Sequence, residues 1–328
     1  MKEPLLVLNM NFLLDTYIES HSSCTLKGVK LLASDFDGTI TKKDTTWLAL
    51  QASERYLFGT NEEQCKLLKI WNQHGKHYFA GYKKLLNDAL DSHVIDSNVF
   101  DLKGLEILLH KIDCYNHQQS LKLAKHHIFD DMVQSTFPAL SKAVEFQPGF
   151  LRFNGRLNAE KQVSIHIISL NWMQGLVHST LRGNVPTSNI HTGVVPKLVH
   201  HTSALQKSNL STAFDKRQML QNFSKESKTP GLVIYVGDSI ADLLALLAAD
   251  VGFIIKGSRT ILDVCQHFGI KVLPTGSYPT EGENTPRQMR KGFPFLQKRK
   301  ALYLADSWSD IEMVIFNLNS AATKESNF

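Results

Sequence analysis

"LLASDFDGTI", residues 31–40, carries two aspartates, Asp35 and Asp37, at the end of an apolar run, followed by Gly38 and Thr39. Two carboxylates where a buried strand stops either finish that strand in water or form a site. Working outward, short apolar runs bounded by polar turns recur at 29–35 (VKLLASD), 163–169 (VSIHIIS), 231–238 (GLVIYVGD), 251–257 (VGFIIKG), 270–274 (IKVLP) and 302–306 (LYLAD). They are brief, β-branched and apolar on both faces, which is the pattern of central parallel strands. Helical spacing fills 239–250 and 259–269, with Gly269 placed as a C-cap. This alternation predicts an α/β fold, a doubly wound parallel sheet covered by helices.

Between the first two runs lies an anomaly. Residues 43–145 read as helices: TTWLALQASERYLFG, then a long segment from Glu62 to Leu90, then LKGLEILLHKI and SLKLAKHHIFDDMV. A crossover between parallel strands needs far fewer residues. The expected organisation is an α/β core of 28–42 and 146–328, an inserted helical cap of 43–145, and an N-terminal extension of 1–27.

Composition narrows the function classes. The chain has 328 residues, is 43% hydrophobic and 20% charged, and can bury a sizeable core. Its net charge of +5 is local, because 285–300 holds six basic residues and no acid, leaving the remainder near −1. A nucleic-acid binder spreads its basic footprint over a face or a helix, so this run reads as a solvated loop and no nucleic-acid partner is expected. Cys24, Cys65, Cys114 and Cys265 show no metal or disulfide spacing, which points to a reducing compartment, the cytoplasm by default with nuclear entry open. The apolar patches of the first twenty residues are interrupted by Glu3, Asn9, Asn11 and Asp15, so neither a membrane span nor a signal peptide is expected. The pairs His126-His127 and His200-His201 lack partners at ligand spacing and read as structural.

The chemistry converges at the ends of the predicted strands. The first ends in Asp35 and Asp37, the next in Ser169, and a later one in Asp238 with Asp242 four residues on; Lys216 opens a helical segment between them. In open α/β sheets ligands sit beyond the carboxyl ends of the strands. Asp35 and Asp238 could hold Mg2+, which favours a few carboxylates together with water and a substrate phosphate. Ser169 and Lys216 suit the oxygens of a phosphoryl group. Asp35 could act as nucleophile and Asp37 as general acid and base, with Gly38 allowing a sharp turn at the phosphate.

In this order and at strand ends, DFDGT, Ser169, Lys216 and GDSIAD resemble the four motifs of the haloacid dehalogenase (HAD) superfamily, and the insertion matches the position of its helical C1-type cap. ISLNW, FDKRQML, VIYVGDSIADLLALLAADVGFIIKGS, FGIKVLP and LYLADSWSDIEMVIF are further similar to the HAD-type thiamine monophosphate phosphatase domain of plant bifunctional thiamine-biosynthesis proteins. That similarity covers most of 28–317 and is weakest through the cap. The chain departs in lacking the thiaminase-like partner domain and in a longer polar segment at 275–300. The resemblance implies Asp35 as nucleophile and metal ligand, and Asp37 as acid and base with its carbonyl on the metal. It also implies Gly38, Thr39, Ser169 and Lys216 around the phosphate, Asp238 on the metal, and Asp242 in support of the metal shell. Related C1-capped phosphatases place an acid nine residues after the nucleophile, here Asp44, with Trp47 one turn on. An acid beside an aromatic would suit a cationic planar group, although Asp44 equally fits an N-cap and Trp47 equally fits packing.

The expected activity is Mg2+-dependent hydrolysis of a small phosphomonoester, with thiamine monophosphate the leading named substrate. Two rivals stand beside it: a catalytically silent binding or regulatory protein on the same fold, and a phosphotransferase or phosphomutase that uses the same site.

Overall fold

The computed structural model describes residues 28–92, 99–160, 163–196, 209–227, 229–278 and 301–325. The N-terminal extension, the basic run of 285–300, Cys24, Lys207 and the His200-His201 pair lie outside them. The strands are β1 (Val29–Ser34), β2 (Ser164–Ser169), β3 (Ile190–Thr192), β4 (Leu232–Gly237), β5 (Val251–Ile255), β6 (Lys271–Pro274) and β7 (Ala301–Ala305). They form one parallel sheet in the order β3-β2-β1-β4-β5-β7-β6. The chain builds outward from β1 through β2 to β3, then returns to add β4 on the other side of β1. The order therefore reverses between β1 and β4, which is where open α/β sheets leave a crevice.

Strand alternation shows why both faces had to be apolar. Leu31, Ala33, Val233 and Tyr235 belong to one buried cluster, whereas Leu32, Ile234 and Val236 belong to another on the opposite face. Helices α1 (Asn61–Asp91), α2 (Leu102–Ala124), α3 (Phe150–Glu160), α4 (Gln174–Thr180), α5 (Ala213–Glu226), α6 (Leu243–Ala248), α7 (Arg259–His267) and α8 (Trp308–Glu325) cover the sheet and fill the insertion. The first cluster takes residues from α5, α6 and α7, and the second from α3, α4 and α8. Gly269 follows α7 at φ +66°, as a C-cap glycine should.

The insertion is helical, with two corrections to the sequence reading. LKGLEILLHKI and SLKLA form one helix, α2, because residues 113–119 contain neither Gly nor Pro to break it. KHHIFDDMV is not helical, since α2 ends at Ala124 and the chain turns through His127, where φ is 53°. His127 Nδ1 instead pairs with Asp130 at 2.7 Å. The helices of the insertion do not keep a core to themselves. Leu105, Leu108, Leu109 and Ile112 of α2 join the cluster under the sheet. A smaller cluster links Leu48, Leu50, Leu67 and Leu123 to Phe137, Met173 and Leu176.

Candidate active site

Register brings the predicted residues to one edge. Ser34 pairs with Ile167 on one side and with Val236 on the other, so Asp35 leaves β1 level with the ends of β2 and β4. Ser169 and Asp238 each lie two residues beyond those partners. The Asp35 amide still donates to the Val236 carbonyl at 2.9 Å. Its carboxylate accepts from the Phe36 amide at 2.7 Å and meets Lys216 Nζ at 2.9 Å.

Lys216 reaches that point because α5 starts nearby. Thr212 and Asp215 form a reciprocal capping box, which fixes the first turn and aims Lys216 inward. Its ammonium is 1% exposed and also meets Asp242 at 2.8 Å. Arg217, the adjoining cation, turns away to Glu106 of α2 at 2.5 Å. Asp242 is fully engaged. One oxygen takes Lys216 and the Tyr235 hydroxyl, and the other takes the Ser239 amide and hydroxyl. It anchors the lysine as much as it contributes to an acidic cluster.

Ligand oxygens of Asp35, Asp238 and Asp242 lie within 4.8 Å of one another. A single ammonium cannot compensate two buried carboxylates and a partly buried third. Burial pulls the Lys216 pKa down, but Asp242 and Asp35 outweigh it and hold the group charged. Burial pushes Asp35 well above the usual carboxylate range against the pull of Lys216, with Asp242 and Asp238 adding to the rise. Asp238 is pushed up to about 7, by burial first and then by Asp242. This uncompensated charge fits a divalent cation bound through carboxylate oxygens.

Asp37 sits in different surroundings. One oxygen accepts the Thr45 amide and hydroxyl, both at 2.7 Å, and the other accepts Asn171 Nδ2 at 2.6 Å. Burial raises it to about 6, with the charge of Asp44 adding. The loop between the two aspartates and the insertion is held from several sides. The Thr39 hydroxyl donates to Asp238 at 2.9 Å, Gln147 donates to the Gly38 carbonyl at 3.0 Å, and the buried Trp308 indole donates to the Thr39 carbonyl at 2.9 Å.

The two outer candidates behave differently. Asp44 is exposed and accepts from the Thr46 amide at 2.7 Å and from the Thr46 hydroxyl, but the N-cap of the turn Thr46–Ala52 is Thr45, so Asp44 is not the N-cap residue. Trp47 is 49% exposed, so it is not a core residue. The Trp172 ring lies 6.1 Å from that of Phe129. Ser169 is buried, and its hydroxyl accepts from the Asn171 amide at 3.2 Å.

Asn171, Thr45, Tyr235, Gln147 and Trp308 were not singled out from the sequence. Two of them left a trace there: Tyr235 is a hydroxyl inside an apolar strand, and Asn171 follows Ser169 by two residues. Thr45, Gln147 and Trp308 reach the loop only through tertiary contacts.

Two carboxylates from adjacent strands flanking the reversal point, a buried lysine between Asp35 and Asp242 and a second aspartate two residues past the first now stand together. The fold is a doubly wound parallel α/β sheet.

Over 323 residues the chain is 24% identical to the bifunctional TH2 protein, mitochondrial, of Arabidopsis thaliana, covering 90% of this chain and 50% of that protein. It is 20% identical over 300 residues to a CTO1 family protein of Schizosaccharomyces pombe, covering 85% and 96%. The chain thus spans half the length of the first relative. No protein-family model matches. Similar solved structures include a phospho-aspartyl intermediate analogue of phosphoserine phosphatase, at 13% identity and TM-score 0.43, covering 73% of this chain and 91% of that one. A HAD family hydrolase from Salmonella enterica serovar Typhi aligns at 13% identity and TM-score 0.44, covering 74% and 67%. No helix among the described residues is long and apolar enough to cross a membrane.

Proposed function

We propose that the chain is a HAD-type phosphatase that hydrolyses a small phosphomonoester through an aspartyl-phosphate at Asp35. The observation that carries this reading is the different treatment of two carboxylates two residues apart. Asp35 faces a buried ammonium and the acidic cluster, whereas Asp37 faces neutral donors and is raised to about 6. A nucleophile and a proton carrier need such unlike environments.

In the proposed first step the Asp35 carboxylate forms a bond to phosphorus as the ester P–O bond breaks. Asp37 gives its proton to the departing oxygen. In the second step Asp37 takes a proton from water, whose oxygen bonds to phosphorus as the Asp35–phosphorus bond breaks and inorganic phosphate leaves. Lys216, the Ser169 hydroxyl and the loop at Gly38 and Thr39 would hold the phosphoryl oxygens, with Asp242 keeping Lys216 in place. Asp35, Asp238 and the Asp37 carbonyl would hold Mg2+, with Asp242 in support. The bound ion would supply the positive charge that keeps the carboxylates ionised and offsets charge on the transferring group.

Residues 43–145 would act as the cap over a core of 28–42 and 146–328. Thiamine monophosphate is the leading substrate on the sequence resemblance. Asp44 and the exposed Trp47 suit a cationic planar group.

Purified protein with Mg2+ is expected to release phosphate from an aryl phosphate, to stop on chelation, and to prefer thiamine monophosphate within a panel of phosphomonoesters. A wild type inert across the panel, or Asp35→Asn at full activity, would sink the reading. A tagged full chain imaged in cells separates a cytoplasmic home from the mitochondrial one in the Arabidopsis relative's description.

A further inference from the structure

Asn171 closes a ring of hydrogen bonds with Asp37 and Thr45. Its amide nitrogen donates to Asp37 Oδ2 at 2.6 Å and to Thr45 Oγ1 at 2.9 Å, while Thr45 Oγ1 donates to Asp37 Oδ1 at 2.7 Å. The amide cannot be turned around, because its oxygen accepts from the Met173 amide at 2.7 Å. Both N–H bonds of the side chain are therefore spent on the other two members, and Asn171 itself is 3% exposed.

The ring distinguishes the two oxygens of Asp37. A carboxyl oxygen offers two acceptor positions. Oδ1 fills both, with the Thr45 amide and hydroxyl. Among the described residues Oδ2 fills one, with Asn171, and keeps the other open. A proton on Oδ1 would meet the Thr45 N–H, so it belongs on Oδ2, in the position that Asn171 leaves free. The ring also joins two parts of the chain. Asn171 follows β2, whereas Thr45 stands immediately before the helical turn Thr46–Ala52 that opens the insertion.

We infer that Asn171 is the positioning residue for proton transfer by Asp37, selecting Oδ2 as the oxygen that gives up and takes back the proton. This rests on the phosphatase reading above. During formation of the phospho-enzyme the O–H bond at Oδ2 breaks and the proton passes to the leaving oxygen. In the hydrolytic half the same oxygen receives a proton from water.

The test separates positioning from mere support of the fold through the leaving group. An alkoxide needs a proton to depart, whereas 2,4-dinitrophenolate does not. Both kcat/KM values are measured with Mg2+ for wild type, Asn171→Ala and Thr45→Val, using β-glycerophosphate and 2,4-dinitrophenyl phosphate. The two variants disrupt the ring from opposite sides, so Thr45→Val decides the matter should Asn171→Ala fail to fold by its thermal melt. Asn171→Ala is expected to lose about 10²-fold on the alkyl ester, the scale of a misplaced general acid, and less than about fivefold on the dinitrophenyl ester. Thr45→Val should show the same split at smaller size. Equal losses on both esters, or no loss on either, overturn the role of Asn171 while leaving the phosphatase reading intact. A wild type inert on both esters brings down the phosphatase reading and this inference with it.

Discussion

Gly38 shows how tightly the residues of this site are matched. It sits at φ +72°, and a Cβ there would lie 2.3 Å from Asp238 Oδ2. Gly38→Ala has no relaxed option, since both the backbone region and the carboxylate beyond it oppose the methyl group. Phosphatase activity is expected to fall at least about 10²-fold, as for other displaced electrostatic groups, measured as kcat/KM on an aryl phosphate; activity within twofold of wild type would refute this. Lys216→Met keeps the volume but leaves Asp35 and Asp242 without their shared ammonium. Breaking a buried pair from one side costs about 3–5 kcal/mol, so the urea midpoint should drop by a corresponding amount in metal-free buffer. An unchanged midpoint would mean that the lysine is not the counter-charge. Position along the chain was enough to expect Asp35, Asp37, Ser169, Lys216 and Asp238 at one edge. It did not show that Asp242 has no acceptor position to spare, because its four donors come from Lys216, Tyr235 and Ser239.

Helix α2 ties the insertion to the helix that carries Lys216. Glu106 of α2 meets Arg217 of α5. Burial raises Asp113 to about 7, with Asp215 adding, and one of its oxygens has no hydrogen-bond partner. The folded pKa is above the unfolded value of about 4. The folded state therefore binds the extra proton between those values, and this group's contribution to stability declines as pH rises through them. Asp113→Asn keeps the shape and removes the titration. Its Tm should exceed that of wild type by an amount that grows from about pH 4 to about pH 7 and then levels off, followed by circular dichroism in metal-free buffer. A constant difference across that range would contradict the assignment. Sequence periodicity located α2 but divided it in two, because the polar stretch 113–119 hides its apolar stripe. β3 escaped notice because three residues, Ile190–Thr192, are too few to show a period.

At the scale of the whole molecule, the reversal of strand order between β1 and β4 concentrates negative charge at one place. Asp35 and Asp238 come from those two strands, and Asp242 follows on the turn behind them. A ligand that binds only the folded state stabilises it, by about 2.7 kcal/mol at a hundredfold excess over Kd, and so raises Tm. Millimolar Mg2+ should thus raise the Tm of wild type at pH 7.5, and Asp238→Asn should lose most of that shift. No shift in wild type would show that the acidic cluster is not a cation site. The alternation of apolar runs with helical spacing was enough to specify a parallel sheet and an insertion after its first strand, because burial on both faces leaves few other patterns. Motif residues at strand ends were enough to nominate the chemistry, because parallel strands bring their carboxyl ends to one edge. Which partner each carboxylate has was decided only in three dimensions. Asp37 is held by Thr45 and Asn171, and Asp35 by Lys216, across separations of up to 181 residues. Hydrogen bonds between residues so far apart depend on distances and angles that no local pattern records.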